Sequence, residues 1–209
     1  MRRATLLLIA VLFLVSGCKQ YATLSPLADP DAPVYDDQLL GQWYGTKDIQ
    51  DPQTGEKKKV PNTDSHLTFS KYGITGYKLS VVNKKMDATI EFAVYPFQVG
   101  QRKFMQLQRP KFETNEQNAG ILRLYYFAPY KVEDDKLYMQ FTNDDKLKGL
   151  AIDAGIPVAE TEQTVLFTGT RQQMLDLLEK HMEELFPSDK ELTPLFRAES
   201  LDLDMADET

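Results

Sequence analysis

Few residues in this chain could do chemistry. There are two histidines, His66 and His181, and one cysteine, Cys18. His66 lies on the polar side of an alternating stretch and His181 beside an apolar helical stripe, so a surface or lumen-lining role at His66 and a boundary role at His181 outweigh general-base catalysis. The chain holds no Gly-x-Ser-x-Gly elbow, phosphate-cradling glycine loop or His-Glu-x-x-His pair. Carboxylates gather at Glu133-Asp134-Asp135 and at Asp144-Asp145. Neither run has the alternating oxygen-ligand spacing of a calcium loop, and both read as turns. Lys57-Lys58-Lys59 would gain about 1 kcal/mol per charge near an anionic lipid surface, but a solvated loop is the simpler account. No catalytic residue, metal site or cofactor is expected, and a carboxylate-dependent hydrolase is the weakest functional reading. The remaining reactive group is the Cys18 thiol, which directly follows Val15-Ser16-Gly17.

Upstream of that thiol lie Arg2 and Arg3 and then an almost unbroken apolar run from Leu6 to Val15. This is the layout of a secretory signal peptide, with a basic start and an apolar middle. The run is too short to span a bilayer, which takes about 20 apolar residues. Small residues ahead of a cysteine resemble the lipobox of bacterial lipoproteins. The resemblance implies cleavage before Cys18, diacylation through its sulfur and, usually, acylation of the new amine. Two or more acyl chains make a stable membrane anchor, each buried methylene contributing about 0.8 kcal/mol. Lys19, where an Asp would signal inner-membrane retention, implies sorting to the outer membrane with the domain facing the periplasm in a diderm host. An acylated Cys18 leaves no thiol for a disulfide, a nucleophile or a metal site.

The chain has 209 residues, of which 42% are hydrophobic and 11% aromatic, enough for a packed core. Its formal charge is -7, and removal of Arg2 and Arg3 makes the mature form more negative still. Such a body is repelled by phosphate backbones, which argues against nucleic acid as a partner. Four segments follow: a signal peptide (1–17), a lipidated N-terminus and flexible tether (18–37), a β domain with a C-terminal helix (38–187) and an acidic tail (188–209). The tether carries Pro26, Pro30 and Pro33 without apolar periodicity, as a semi-stiff spacer would.

Eight strands are expected, near residues 40–49, 66–71, 74–82, 87–99, 102–108, 120–130, 136–142 and 163–169, from period-2 alternation between turn signals. Between residues 143 and 162 alternation stops, with a short helix over 146–151; a connection of this length is often functional. Thr170 and Gln173 form a capping box that starts a helix, and Pro187 stops it. Its residues Met174, Leu175, Leu178, Met182 and Leu185 make one apolar stripe that should dock on the sheet.

Eight consecutive antiparallel strands suit an up-and-down barrel, because closure removes both exposed edges. An antiparallel sandwich or an open sheet with a packed helix is the alternative. Gly41-x-Trp43-Tyr44 at the start of the first strand, with a helix after the eighth, resembles the lipocalin or wider calycin superfamily. The resemblance implies that Trp43 packs across the closed base of a barrel and is structural, with Gly41 as the other signature residue. The family's Thr-Asp-Tyr turn between strands six and seven is replaced by Glu133-Asp134-Asp135. Arg171 is near the place of the family's basic partner for the tryptophan, but on the first helical turn. Inside a barrel, Glu91, Arg123 and Tyr125 could line the lumen and recognise a polar headgroup, although cross-strand structural pairing explains them as well. The leading expectation is a non-enzymatic, membrane-anchored lipoprotein that binds a hydrophobic small molecule or lipid. The other is an interaction protein of envelope assembly or stress response, meeting a protein partner through the tether, the 143–162 segment or the tail.

Overall fold

The computed structural model describes residues 20–29, 31–50, 55–73, 76–109, 123–140, 144–162, 164–186 and 192–201. The stretch read as a signal peptide, Cys18 and the last residues of the stretch read as an acidic tail lie outside that set. The strands are β1 (Gln20–Thr23), β2 (Gly41–Gln50), β3 (Lys57–Tyr72), β4 (Gly76–Asn83), β5 (Ala88–Val99), β6 (Arg102–Gln108), β7 (Tyr125–Glu133) and β8 (Lys136–Met139). After them come α1 (Asp144–Asp153), β9 (Val158–Glu160), β10 (Thr164–Phe167), α2 (Arg171–Lys180), α3 (Met182–Leu185) and β11 (Leu195–Arg197). The fold is mainly β, as expected. No helix among the described residues is long and apolar enough to cross a membrane.

All eleven strands join one sheet, and eight of them close on themselves in the order β2-β3-β4-β5-β6-β7-β8-β11, with β11 returning to β2. Each neighbouring pair in this ring is antiparallel. Seven ring strands fall where alternation places them. The eighth does not: β10, the expected final strand, stands outside the ring and pairs in parallel with β1. Its place is taken by β11, three residues long and inside the stretch read as an acidic tail. A three-residue strand is too short to carry an alternation signal.

The segment read as a tether is also built into the fold from Gln20 onward. β1 bridges β7 at Thr23 and Tyr125 and carries β10 and then β9 beyond it. Ala22, Thr23 and Leu27 are fully buried. The buried Gln106 Oε1 accepts from the backbone N–H of Leu27 at 2.6 Å and of Ala28 at 3.0 Å, so the descending chain is hydrogen-bonded to the outside of β6. Prolines and missing periodicity hid this, because the segment is held by single contacts rather than by a repeating face.

Two apolar layers result. The outer layer forms where Phe97, Val99, Phe104 and Phe127 meet Leu147 and Ala151 of α1, Met174, Leu177 and Leu178 of α2, Leu185 of α3 and Phe186 just after it. The capping box at Thr170 and Gln173 is present, and Met174, Leu178 and Leu185 of the expected stripe are buried. The helix breaks at His181, between α2 and α3. It precedes the last ring strand rather than following it.

The inner layer holds Trp43, Phe69, Tyr77, Leu79, Phe92, Val94, Met105, Tyr130 and Leu137. Strand parity sends these side chains to the lumen and their neighbours outward.

Candidate functional site

The ring's two ends differ. At one, called the base here, β2 begins and the tight turns β3–β4, β5–β6 and β7–β8 gather. Residues 36–40 cross this end as a lid, with a single 3₁₀ turn at Asp37–Leu39 and Leu39 fully buried. Trp43 Nε1 donates to the Leu39 carbonyl at 2.8 Å. The Arg197 guanidinium lies 4.4 Å from the Trp43 ring centroid, a cation–π contact. It also donates to the carbonyls of Leu40 at 2.5 Å and Gln38 at 2.8 Å, and to Asp135 Oδ1 at 3.2 Å. One arginine from β11 thus pins the lid, the tryptophan and the β7–β8 turn together.

Gly41 has a physical reason here. Its φ is +117°, and a Cβ would sit 3.1 Å from Arg197 Nη1. The basic partner of Trp43 is therefore Arg197 and not Arg171, which instead donates to the Leu27 carbonyl at 2.9 Å. Sequence reasoning missed Arg197 because the strand delivering it is three residues long.

The other side of the lid is held by a buried carboxylate. Asp36 Oδ2 accepts from Lys103 Nζ at 2.8 Å and from the Tyr130 hydroxyl at 3.0 Å, and the Asp36 N–H donates to the Tyr77 hydroxyl at 2.8 Å. Burial first, then the Asp36 charge, pushes the Tyr130 phenol far above its usual value. Burial likewise raises Tyr77.

Away from the base the lumen loosens. Trp43, Phe69, Phe92 and Met105 are at most 2% exposed, whereas Leu67, Val81 and Leu107 are at 6–8% and Ile90 and Tyr126 are only half-buried. Among the described residues, the inward apolar side chains are thus packed most tightly beside the lid and least tightly toward Ile90 and Tyr126. The Tyr126 hydroxyl donates to Gln20 Oε1 at 2.9 Å, linking this end of the ring to β1.

Of the residues weighed as lumen-lining or as cross-strand pairs, Glu91 takes the second role, between β5 and β4. Glu91 is exposed and bonds to Lys78 at 2.9 Å and Ser80 at 3.4 Å, and the Lys78 hydrogen bond holds its carboxyl below the usual range. Arg123 is exposed and Tyr125 half-buried. Both lie within electrostatic range of Tyr95, whose phenol is raised chiefly by burial. Tyr95 faces outward, on the opposite strand face from Val94. The three therefore do not converge inside the ring.

His66 packs its ring 5.3 Å from that of Tyr44 on the outer face of β3. Its buried Nδ1 has no hydrogen-bond partner among the described residues. Burial, then the Lys84 charge, lowers its pKa. His181 bonds to Glu184 at 3.1 Å across the helix break.

The run Glu133-Asp134-Asp135 is a turn, with Asp134 and Asp135 at φ of 51° and 54°, and Asp144-Asp145 opens α1. No group of three or more His, Cys, Asp or Glu among the described residues could hold a metal ion. Outside the ring near the base, a groove of about 280 Å³ is lined by Arg102, Lys131, Pro129, Tyr138, Gln140 and Leu192, among others. Its cations are engaged: Arg102 with the Phe186 carbonyl and Glu183, Lys131 with Glu133. In comparisons with family models, curated proteins and solved structures, nothing matches this chain.

Proposed function

We propose that this protein is a non-enzymatic, lipid-anchored component of the bacterial envelope. Its ring of eight strands acts as a calycin-like barrel, closed at the base and holding a hydrophobic small molecule or lipid in an apolar cup at the other end. The anchor is Cys18, and in a diderm host the body stands on the outer membrane facing the periplasm. The observation that carries this reading is the asymmetry of the lumen: filled and lidded around Trp43, apolar and loosening toward Ile90 and Tyr126. A filled lower half restricts the ligand to a short apolar group or the end of a chain. Burying such a group is worth about 25 cal/mol per Å² of apolar surface.

The test is titration of acyl-free protein with a fluorescent fatty acid. Saturable binding is expected, weakened at least tenfold, about 1.4 kcal/mol, by Ile90→Trp, which fills the cup. Binding that is non-saturable, or indifferent to Ile90→Trp, removes the proposal.

A second reading, an envelope interaction protein, is favoured by the 143–162 region. There β9 is the last strand of the eleven-stranded sheet, and Ile152 at the end of α1 is 56% exposed. Crosslinking from Ile152→Cys in cells would give a reproducible protein adduct under this reading and none under the first.

A further inference from the structure

The distance between the anchor and the folded body is set by the first residue that the sheet captures. That residue is Gln20, paired with Thr164 at the start of β10. Only Lys19 separates it from Cys18. An extended chain advances at most about 3.6 Å per residue, so Cys18 lies within about 7 Å of β1 whatever its conformation. The spacer suggested by sequence, fully extended from Cys18 to Asp37, would have allowed about 65 Å.

Resting on the proposed acylation of Cys18, we infer that the protein has no working tether. The β1–β10 flank of the ring lies directly against the lipid bilayer. The occupant of this surface is the membrane to which the acyl chains belong, because only Lys19 stands between the acylated residue and the sheet.

The flank is built to stay closed at that point. Thr23 is fully buried, and its hydroxyl donates to the Ser25 carbonyl at 2.8 Å. The Tyr21 hydroxyl reaches Asp145 of α1 at 3.5 Å. Peeling β1 away to lengthen the tether would break its four-residue pairing with β10 and expose Ala22 and Thr23.

The charges beside the anchor are balanced: Asp145, Glu160 and Glu162 stand against Lys19, Lys146 and Lys148, with Lys148 paired to Glu160 and Lys146 to Glu184. The covalent anchor, rather than headgroup attraction, therefore sets the contact, which makes it insensitive to salt. β1 meets β7 only at Thr23 and Tyr125, the first residue of β7, so the anchored flank belongs to the end of the ring away from the lid.

The experiment uses the full chain, processed and acylated in cells and reconstituted into phosphatidylcholine vesicles. Acylation occupies the only native cysteine, so a single introduced cysteine takes a fluorescent label. Glu162→Cys marks the flank, and Ser70→Cys on β3 marks the opposite wall. Nitroxide-bearing lipids should quench the Glu162 label strongly and the Ser70 label hardly at all, equally at low and high salt. Inserting twelve Gly-Ser residues between Lys19 and Gln20 adds a random-coil reach of about 20 Å and should abolish the difference.

Equal, weak quenching at both sites in acylated protein would overturn the inference while leaving the anchor intact. Intact-mass measurement of the same samples separates the two ideas. A Cys18 without acyl chains overturns the anchor itself, and the inference with it.

Discussion

Replacing Arg197 by alanine tests whether the lid and Trp43 form one unit. The side chain is about one-fifth exposed and makes four contacts: the Trp43 face, the carbonyls of Leu40 and Gln38, and Asp135. The Asp135 pair contributes little, because that carboxylate is 66% exposed and screened by water. A cation–π contact of this kind is worth about 1 kcal/mol. Two charge-assisted hydrogen bonds to carbonyls, partly open to water, add about 1 kcal/mol each. Arg197→Ala should therefore destabilise by about 3 kcal/mol, or about 6–12 °C in Tm for a domain of this size.

Arg197→Lys keeps the charge but loses the fork that reaches two carbonyls at once, and should recover less than half of the loss. The assay is urea unfolding followed by Trp43 emission, since this is the chain's only tryptophan. In the folded alanine variant that emission should shift to the red as water reaches the lid. A loss below about 0.5 kcal/mol, within ordinary surface-substitution scatter, with unchanged emission would refute the reasoning.

Three further predictions concern the same framework. Gly76→Ala places a Cβ 2.8 Å from the Val94 carbonyl and 3.0 Å from the Tyr95 ring, and should destabilise by about 1–3 kcal/mol in thermal melts. Asp36→Asn removes the charge shared by Lys103 and Tyr130 and should cost about 1–2 kcal/mol; Lys103, 45% exposed, can rehydrate. His66 is held neutral below its ordinary pKa. The unfolded chain takes up a proton near pH 6.5 that the folded chain refuses, so its contribution is present above that pH and is lost as pH falls below it. The stability difference between the parent and His66→Gln should narrow on acidification through this window; a constant difference would show that His66 is not held neutral by the fold.

Seven ring strands and the capped helix were legible in the sequence because each is a repeating pattern: period two with one face buried, or an i, i+4 stripe. Trp43 and Gly41 were legible as a motif, but the reason for the glycine was not, since it depends on the guanidinium of a residue 156 positions away. β1 and β11 were illegible for one shared cause. Each is a three- or four-residue strand whose place is set by partners distant in sequence, so no local period announces it. The Asp36 network was hidden similarly, because its members are scattered from Asp36 to Tyr130 and meet only after the ring closes. For Glu91, Arg123 and Tyr125 a lumen lining and cross-strand pairing stayed open together, because strands with apolar residues on both faces do not reveal which face is inside. In the structure the outer face is apolar too, where the helices cover it.

The central proposal, a membrane-anchored ring with a ligand in its open end, is tested most directly by native mass spectrometry of the protein extracted gently from its own membrane. The account predicts a polypeptide beginning at an acylated Cys18, accompanied by a non-covalent apolar molecule that Ile90→Trp displaces. A chain still beginning at Met1, or an acylated chain that carries no such molecule, would contradict it.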